Sequence, residues 1–216
     1  MCMQMVREIS ISGGKPAMAP PLIIVVLVSM IKDAYEDINR HIEDSKENNE
    51  KTRKYNRDTG KFEQCCWRDI QVGDLVKIQE NEFFPADILL LSSSETEGIC
   101  YVETKNLDGE TNLKTKYALQ ATNDLYYNGS NLHDLNGVMN VEWPNNRIYK
   151  FDGNFILEVK EEVGGIKRQS ESEIFEQTHL QQVPLNINNV LLRGMSLKNT
   201  EDILGCVVYT GHDTKI

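Results

Sequence analysis

The stretch FPADILLLSSSETEGICYVETKNLDGETNLK, Phe84–Lys114, decides how the chain is read. Pro85 interrupts the chain ahead of DILLLSSS, and ICYVET follows; both read as short strands bounded by turn signals. After ICYVET comes a polar loop in which Asp108 and Glu110 flank Gly109. Asp-Gly between two β-like runs is a strong hairpin signal, because glycine accepts positive φ. Glu110 fits a plain turn less well. Thr104, Lys105, Asn106, Thr111, Asn112 and Lys114 crowd further polar groups into the same segment. Glycine also lets a backbone come close to a partner, and a carboxylate beside it can act as a base toward water. Two readings stand: a hairpin turn, or a carboxylate held out for chemistry.

The flanking sequence has the same texture. FEQCCW, the turn-like Val72-Gly73-Asp74 and LVKIQE precede the stretch; NVEW, RIYKF, NFILEV, NVLLRG and GCVVYTG follow it. Short strands spaced by turn signals predict an all-β sandwich or barrel rather than a parallel α/β sheet. Gln120–Gly137 and Gly164–Gln182 read as surface insertions. Asp58-Thr59-Gly60 is followed by Lys61 and preceded by Arg57; it lacks a lysine directly after the aspartate and reads as a turn.

The N-terminal part differs. Pro20–Ile31 is nearly all apolar, and Ile31, Ala34 or Tyr35, Ile38 and Ile42 continue at helical spacing. The apolar run is shorter than the roughly 20 residues that span a bilayer. A membrane helix leaving the bilayer after Ile31 as an amphipathic stalk and a buried core helix fit the hydropathy equally. A signal peptide fits worse, because no small-residue cleavage site follows. His41–Gly60 is polar throughout and reads as an exposed helix end running into a loop. Its basic cluster of Lys46, Lys51, Arg53, Lys54 and Arg57 reads as a solvated face, with contact to an anionic membrane surface as the alternative.

Composition excludes several classes. Among 216 residues, 33 acids against 23 bases give a net charge of −10, which disfavours nucleic acid as a partner. Five cysteines without regular spacing imply neither a disulfide framework nor, with four scattered histidines, a zinc site. No Gly-rich phosphate loop and no nucleophile–base arrangement is apparent, so a catalytic loop must act on a group supplied elsewhere.

Five blocks in order resemble one family. LDGETNLK, Leu107–Lys114, resembles the signature loop of the actuator domain in type IV P-type ATPases, the phospholipid flippases. Ion-pumping relatives usually carry TGE there, so Asp108 points to the lipid branch. FPADILLLSSS resembles the segment ahead of that loop. PLNINNVLLRGMSLKNT (Pro184–Thr200) and GCVVYTGHDTK (Gly205–Lys215) resemble the segments that close the domain. PLIIVVLVSMIKDAYEDINRH (Pro21–His41) resembles the second transmembrane helix and its extension. The resemblance covers essentially the whole chain.

It implies a mainly β, distorted jelly-roll actuator domain over 61–216. Ahead of it come the second transmembrane helix and stalk over 20–60, and an extracytoplasmic loop with the end of the first transmembrane helix over 1–19. The protein would be integral to a membrane, with residues 32–216 cytosolic and the sequon Asn128-Gly129-Ser130 unused. Its partners would be its own phosphorylation domain, absent from this sequence, a phospholipid, and a glycosylated accessory subunit of the kind common in the family. Mg²⁺ and ATP would serve the full-length enzyme and neither would be bound by this piece, which alone is expected to be inactive. Glu110 would orient and partly deprotonate the water that attacks an aspartyl phosphate. Gly109 would allow close approach, and Asp108 and Thr111 would shape the loop and contact the phosphorylation domain. Gln4 matches one of two glutamines that some aminophospholipid flippases carry; Met5 replaces the second. A stand-alone, membrane-tethered β-module that binds a partner without catalysis is the alternative of a different class. An ion-pumping P-type ATPase is disfavoured by Asp-Gly-Glu-Thr.

Overall fold

The computed structural model describes residues 19–126, 132–162 and 176–215. The chain divides into two compact units, Met1–Glu50 and Lys51–Ile216.

The described part of the first unit is one helix, α1, Ala19–Asn48. Pro20 and Pro21 sit in its first turn, where their missing N–H groups have no helical partner to lose. Lys32 and Glu36, one turn apart, pair at 3.3 Å. The apolar side chains from Leu22 to Ile31 are exposed. No helix among the described residues is long and apolar enough to cross a membrane.

The second unit is mainly β, the class expected, and its sheets are antiparallel. The strands are β1 (Lys51–Asn56), β2 (Lys61–Cys66), β3 (Leu75–Gln79), β4 (Asp87–Ser93), β5 (Ile99–Glu103), β6 (Lys114–Tyr117), β7 (Gly137–Val141), β8 (Gly153–Glu162), β9 (Glu176–Leu185), β10 (Val190–Leu191), β11 (Ser196–Lys198) and β12 (Asp202–Tyr209). Among the described residues they form a six-stranded sheet in the order β10-β4-β12-β3-β1-β2, and two three-stranded sheets, β11-β5-β6 and β7-β8-β9. Every residue of β4 is buried, so DILLLSS lacks the alternation of a strand with one wet face. Around it the core gathers Val76, Ile78, Phe84, Ile203 and Val207. Gly205 sits on β12 opposite Leu90. A Cβ there would lie 2.2 Å from Ile88 Cγ2, so only glycine lets β12 lie against β4.

Buried charges close this unit. Asp87 is fully buried; its carboxylate accepts from the backbone N–H of Arg193 at 2.9 Å and of Lys215 at 2.8 Å. Burial pushes the Asp87 carboxyl above its ordinary range against the pull of those two donors. Lys215 Nζ pairs with Glu142 Oε1 at 2.9 Å, donates to Asn145 Oδ1 at 3.0 Å and lies 5.6 Å from the centre of the Phe151 ring.

Several local expectations change. The exposed helix end expected over His41–Gly60 stops at Asn48, and Lys51–Asn56 is a strand instead of a loop. Thr52 and Tyr55 turn inward there. Two cations of the basic cluster are engaged: Arg53 lies 3.6 Å from Glu82 and Lys54 2.8 Å from Asp74. RIYKF forms no strand; it lies in the irregular segment between β7 and β8. Of the insertion expected at Gln120–Gly137, Gln120–Tyr126 is a short helix, α2, and Leu132–Asp134 a 3-10 turn. Residues of the second insertion from Glu176 onward belong to β9, which pairs along its length with β8. Asp58-Thr59-Gly60 is a turn as read, Gly60 N–H donating to Asn56 O at 2.9 Å.

Candidate active site

The polar loop is held from both ends by β5 and β6. Val102 pairs with Lys114, so the ten-residue connection projects from a closed ladder. β5 is locked on its other edge by β11, with Leu197 opposite Val102. The loop is not a two-residue hairpin turn. Lys105–Asp108 make a single helical turn. Gly109 ends it in the left-handed region, φ 72° and ψ 4°, its N–H reaching Lys105 O. This is the usual helix stop, with glycine where a Cβ would be strained. A Cβ added at Gly109 would meet nothing within 4 Å, so the backbone there is open to an approaching partner.

The two acids have different surroundings. Asp108 turns its carboxylate back onto the loop's own donors. Its Oδ1 accepts from the Thr104 hydroxyl at 2.8 Å and the Glu110 N–H at 3.0 Å. Its Oδ2 accepts from Lys114 Nζ at 2.6 Å and lies 3.5 Å from the Tyr149 hydroxyl. The Lys114 ammonium, then the Glu110 N–H and the Thr104 hydroxyl, hold the Asp108 carboxyl down at about 2. A carboxylate so low in pKa and so fully engaged is a poor base; it is a bracket that fixes the loop. Glu110 follows the glycine and points outward, its side chain 47 % exposed. Its charged partner is Lys114, at 3.0 Å. Lys114 therefore bridges both acids, and they raise its pKa in turn, Asp108 more than Glu110. Thr111 is exposed beside Glu110.

The structure thus brings together Asp108, Gly109, Glu110 and Thr111 on one projecting loop. Gln4 lies outside the described residues, as does the sequon at Asn128. Tyr149 was not legible as a site residue: it stands 41 positions from Asp108, in a segment read as a strand. Thr104 and Lys114 were visible only as part of a polar crowd; the spacing of four from Thr104 to Asp108 is the signal that, on a helical turn, marks facing side chains, whereas Lys114 reaches both acids from the start of β6. Among the described residues no three His, Cys, Asp or Glu side chains converge as a metal site.

A sequence model of the P-type ATPase actuator domain matches residues 46–146. The chain is 42 % identical over 196 residues to phospholipid-transporting ATPase 10 of Arabidopsis thaliana, covering 91 % of this chain and 14 % of that protein. It is 43 % identical over 203 residues to the probable phospholipid-transporting ATPase 4 of the same plant, covering 94 % and 15 %. It is 42 % identical over 196 residues to phospholipid-transporting ATPase IC of Mus musculus, covering 91 % and 14 %. The chain spans about one-seventh of the length of these relatives.

Proposed function

Because the chain belongs to the P-type ATPases, carrying their actuator domain and siding in sequence with the phospholipid-transporting branch, we propose that it is the actuator portion of an ATP-driven phospholipid flippase. In that reading the loop 107–114 docks on a separate phosphorylation domain whose aspartate has been phosphorylated. Glu110 orients the attacking water and takes up its proton, and hydrolysis of the acyl phosphate is coupled to movement of lipid between leaflets. Phosphoryl transfer asks the protein mainly for alignment and charge control. The observation that carries the reading is the contrast within the loop: Asp108 is spent on internal hydrogen bonds, while Glu110 stands outward past an open glycine.

Charge control is the demanding part. A carboxylate about 4 Å from a phosphate oxygen is repelled by about 4 kcal/mol per charge pair at an effective dielectric near 20. Lys114 travels with the loop and sets a cation against both acids, so the loop arrives partly neutralised. Thr111 meets the phosphorylation domain beside Glu110. ATP and Mg²⁺ act in the whole enzyme, and the 216-residue chain alone hydrolyses no ATP.

The apolar end of α1 belongs in the bilayer and its charged continuation in the cytosol with the β unit. Gln4, outside the described residues, is the one residue here assigned to contact with the lipid. A phospholipid is the cargo and a glycosylated subunit the accessory partner.

Glu110→Gln in the complete enzyme tests the assignment. Gln keeps the length of the side chain and an acceptor for Lys114. Phosphorylation from ATP should be intact, and decay of the phosphoenzyme slowed about 10²–10⁴-fold, the range for a lost general base. A phosphoenzyme that decays at the parental rate in a chase experiment removes Glu110 from the mechanism.

A further inference from the structure

A cavity of about 290 Å³ adjoins the candidate loop, lined by its Leu107 and Asp108 and not by Glu110. Its walls are largely apolar: Leu107 from the loop, Ile148 from the irregular segment after β7, and Ile187, Leu192 and Met195 from the chain around β10. One wall carries a buried cation. Lys116 on β6 is 6 % exposed, and its Nζ donates to Ile187 O at 2.6 Å. That partner is a carbonyl and not a carboxylate. A buried ammonium without a counter-charge is costly, and burial accordingly lowers the Lys116 pKa to about 8, with the nearby Cys100 thiol opposing and Lys114 adding to the shift.

We propose that this cavity is a binding site for a small amphipathic monoanion, an aliphatic carboxylate whose head pairs with Lys116 and whose chain lies against Leu107, Ile187 and Met195. An ammonium has three N–H donors and Ile187 O takes one; a carboxylate has two oxygens to accept the others. Asp108 and Lys114 on the same wall are paired with each other, which leaves the single charge of Lys116 to match a monoanion rather than a dianion such as a phosphate monoester. Size follows from volume: at about 30 Å³ per water-sized group, the space holds roughly ten heavy atoms. A bound chain would rest against Leu107 and under Asp108, the residues on which the helical turn of the loop stands.

The site stands apart from the hydrolytic role of Glu110, because occupancy is read without turnover. Octanoate, of suitable size, is titrated by calorimetry into the 216-residue chain, with 1-octanol as its uncharged counterpart. Octanoate should bind saturably at one site, and 1-octanol at least about tenfold more weakly, the factor that a lost charge-assisted hydrogen bond carries. Lys116→Met keeps the length of the stem and should weaken octanoate by about 10- to 100-fold while leaving the far-UV spectrum unchanged. If that variant does not fold, the octanoate–octanol comparison decides alone. Absence of saturable octanoate binding, equal affinities for acid and alcohol, or parental affinity in folded Lys116→Met each overturns the proposal.

Discussion

Glu142→Gln and Lys215→Met cut the same ion pair from opposite sides, and their costs should be unequal. Lys215 Nζ lies 2.9 Å from Glu142 Oε1; the lysine side chain is 0 % exposed and the glutamate side chain 22 %. Gln at 142 leaves a buried ammonium without its ion-pair partner, the buried Asp87 being the remaining acid that senses its charge. Removing one partner of a buried pair costs about 3–5 kcal/mol. The surviving Asn145 hydrogen bond and the Phe151 ring place the cost near the lower end, about 3 kcal/mol. Met at 215 leaves instead a carboxylate that still meets water, and a thioether chain that fills the space of the lysine stem; the cost should be about 1 kcal/mol. For a unit of this size, Tm moves by about 2–4 °C per kcal/mol. Thermal unfolding followed by circular dichroism should thus fall by about 6–12 °C in Glu142→Gln and about 2–4 °C in Lys215→Met. The double variant should match Lys215→Met, since its Gln faces no charge. Equal losses, or a larger loss in Lys215→Met, would refute the reasoning: the pair would not be guarding a buried ammonium.

Two further outcomes are expected. Folding lowers the carboxyl pKa of Asp108 to about 2, through Lys114, the Glu110 N–H and Thr104; it also lowers that of Glu142, where burial pushes up but Lys215 and Asn145 outweigh it. Each contributes stability that is complete above its unfolded pKa and lost as pH falls through the folded one. Urea midpoints should therefore drop between about pH 5 and pH 2, and Lys215→Met should flatten that drop. Asp87, raised by burial, acts with the opposite sign: its contribution is present at low pH and lost as pH rises through its folded value. Gly205→Ala should cost about 1–3 kcal/mol from overpacking, because Ile88 is fully buried and cannot move aside; Ile88→Ala in the same chain should recover part of it, measured as a double-mutant cycle in urea.

Strands with strong local contrast were legible from sequence. DILLLSSS, ICYVET, LVKIQE, NFILEV and GCVVYTG all fall on strands, because apolar β-formers between turn residues have few other places to go. β1 was not legible. Lys51–Asn56 reads as KTRKYN, and its place is set by pairing with β2 and β3, partners that local pattern does not reveal. RIYKF failed for the converse reason. Its apolar residues are used for contacts of single side chains, Ile148 in the cavity wall and Tyr149 beside Asp108, not for a ladder. In the loop, Asp108, Gly109 and Glu110 were visible as a group. What the sequence hid was the division between them: an acid turned onto its own loop and an outward acid differ only in which neighbours fold against them.

The position of β12 has a consequence for how the chain is made. β12 lies between β3 and β4 in the large sheet, yet it is the last strand of the unit to leave the ribosome. Until about residue 209 emerges, β3 and β4 have no shared partner, and their inner edges are open templates for any strand nearby. Closure of the six-stranded sheet thus waits for late, long-range pairing, the kind of topology that folds slowly. Its nascent form needs protection during synthesis, and products truncated before Asp202 should aggregate rather than accumulate as partly folded domains.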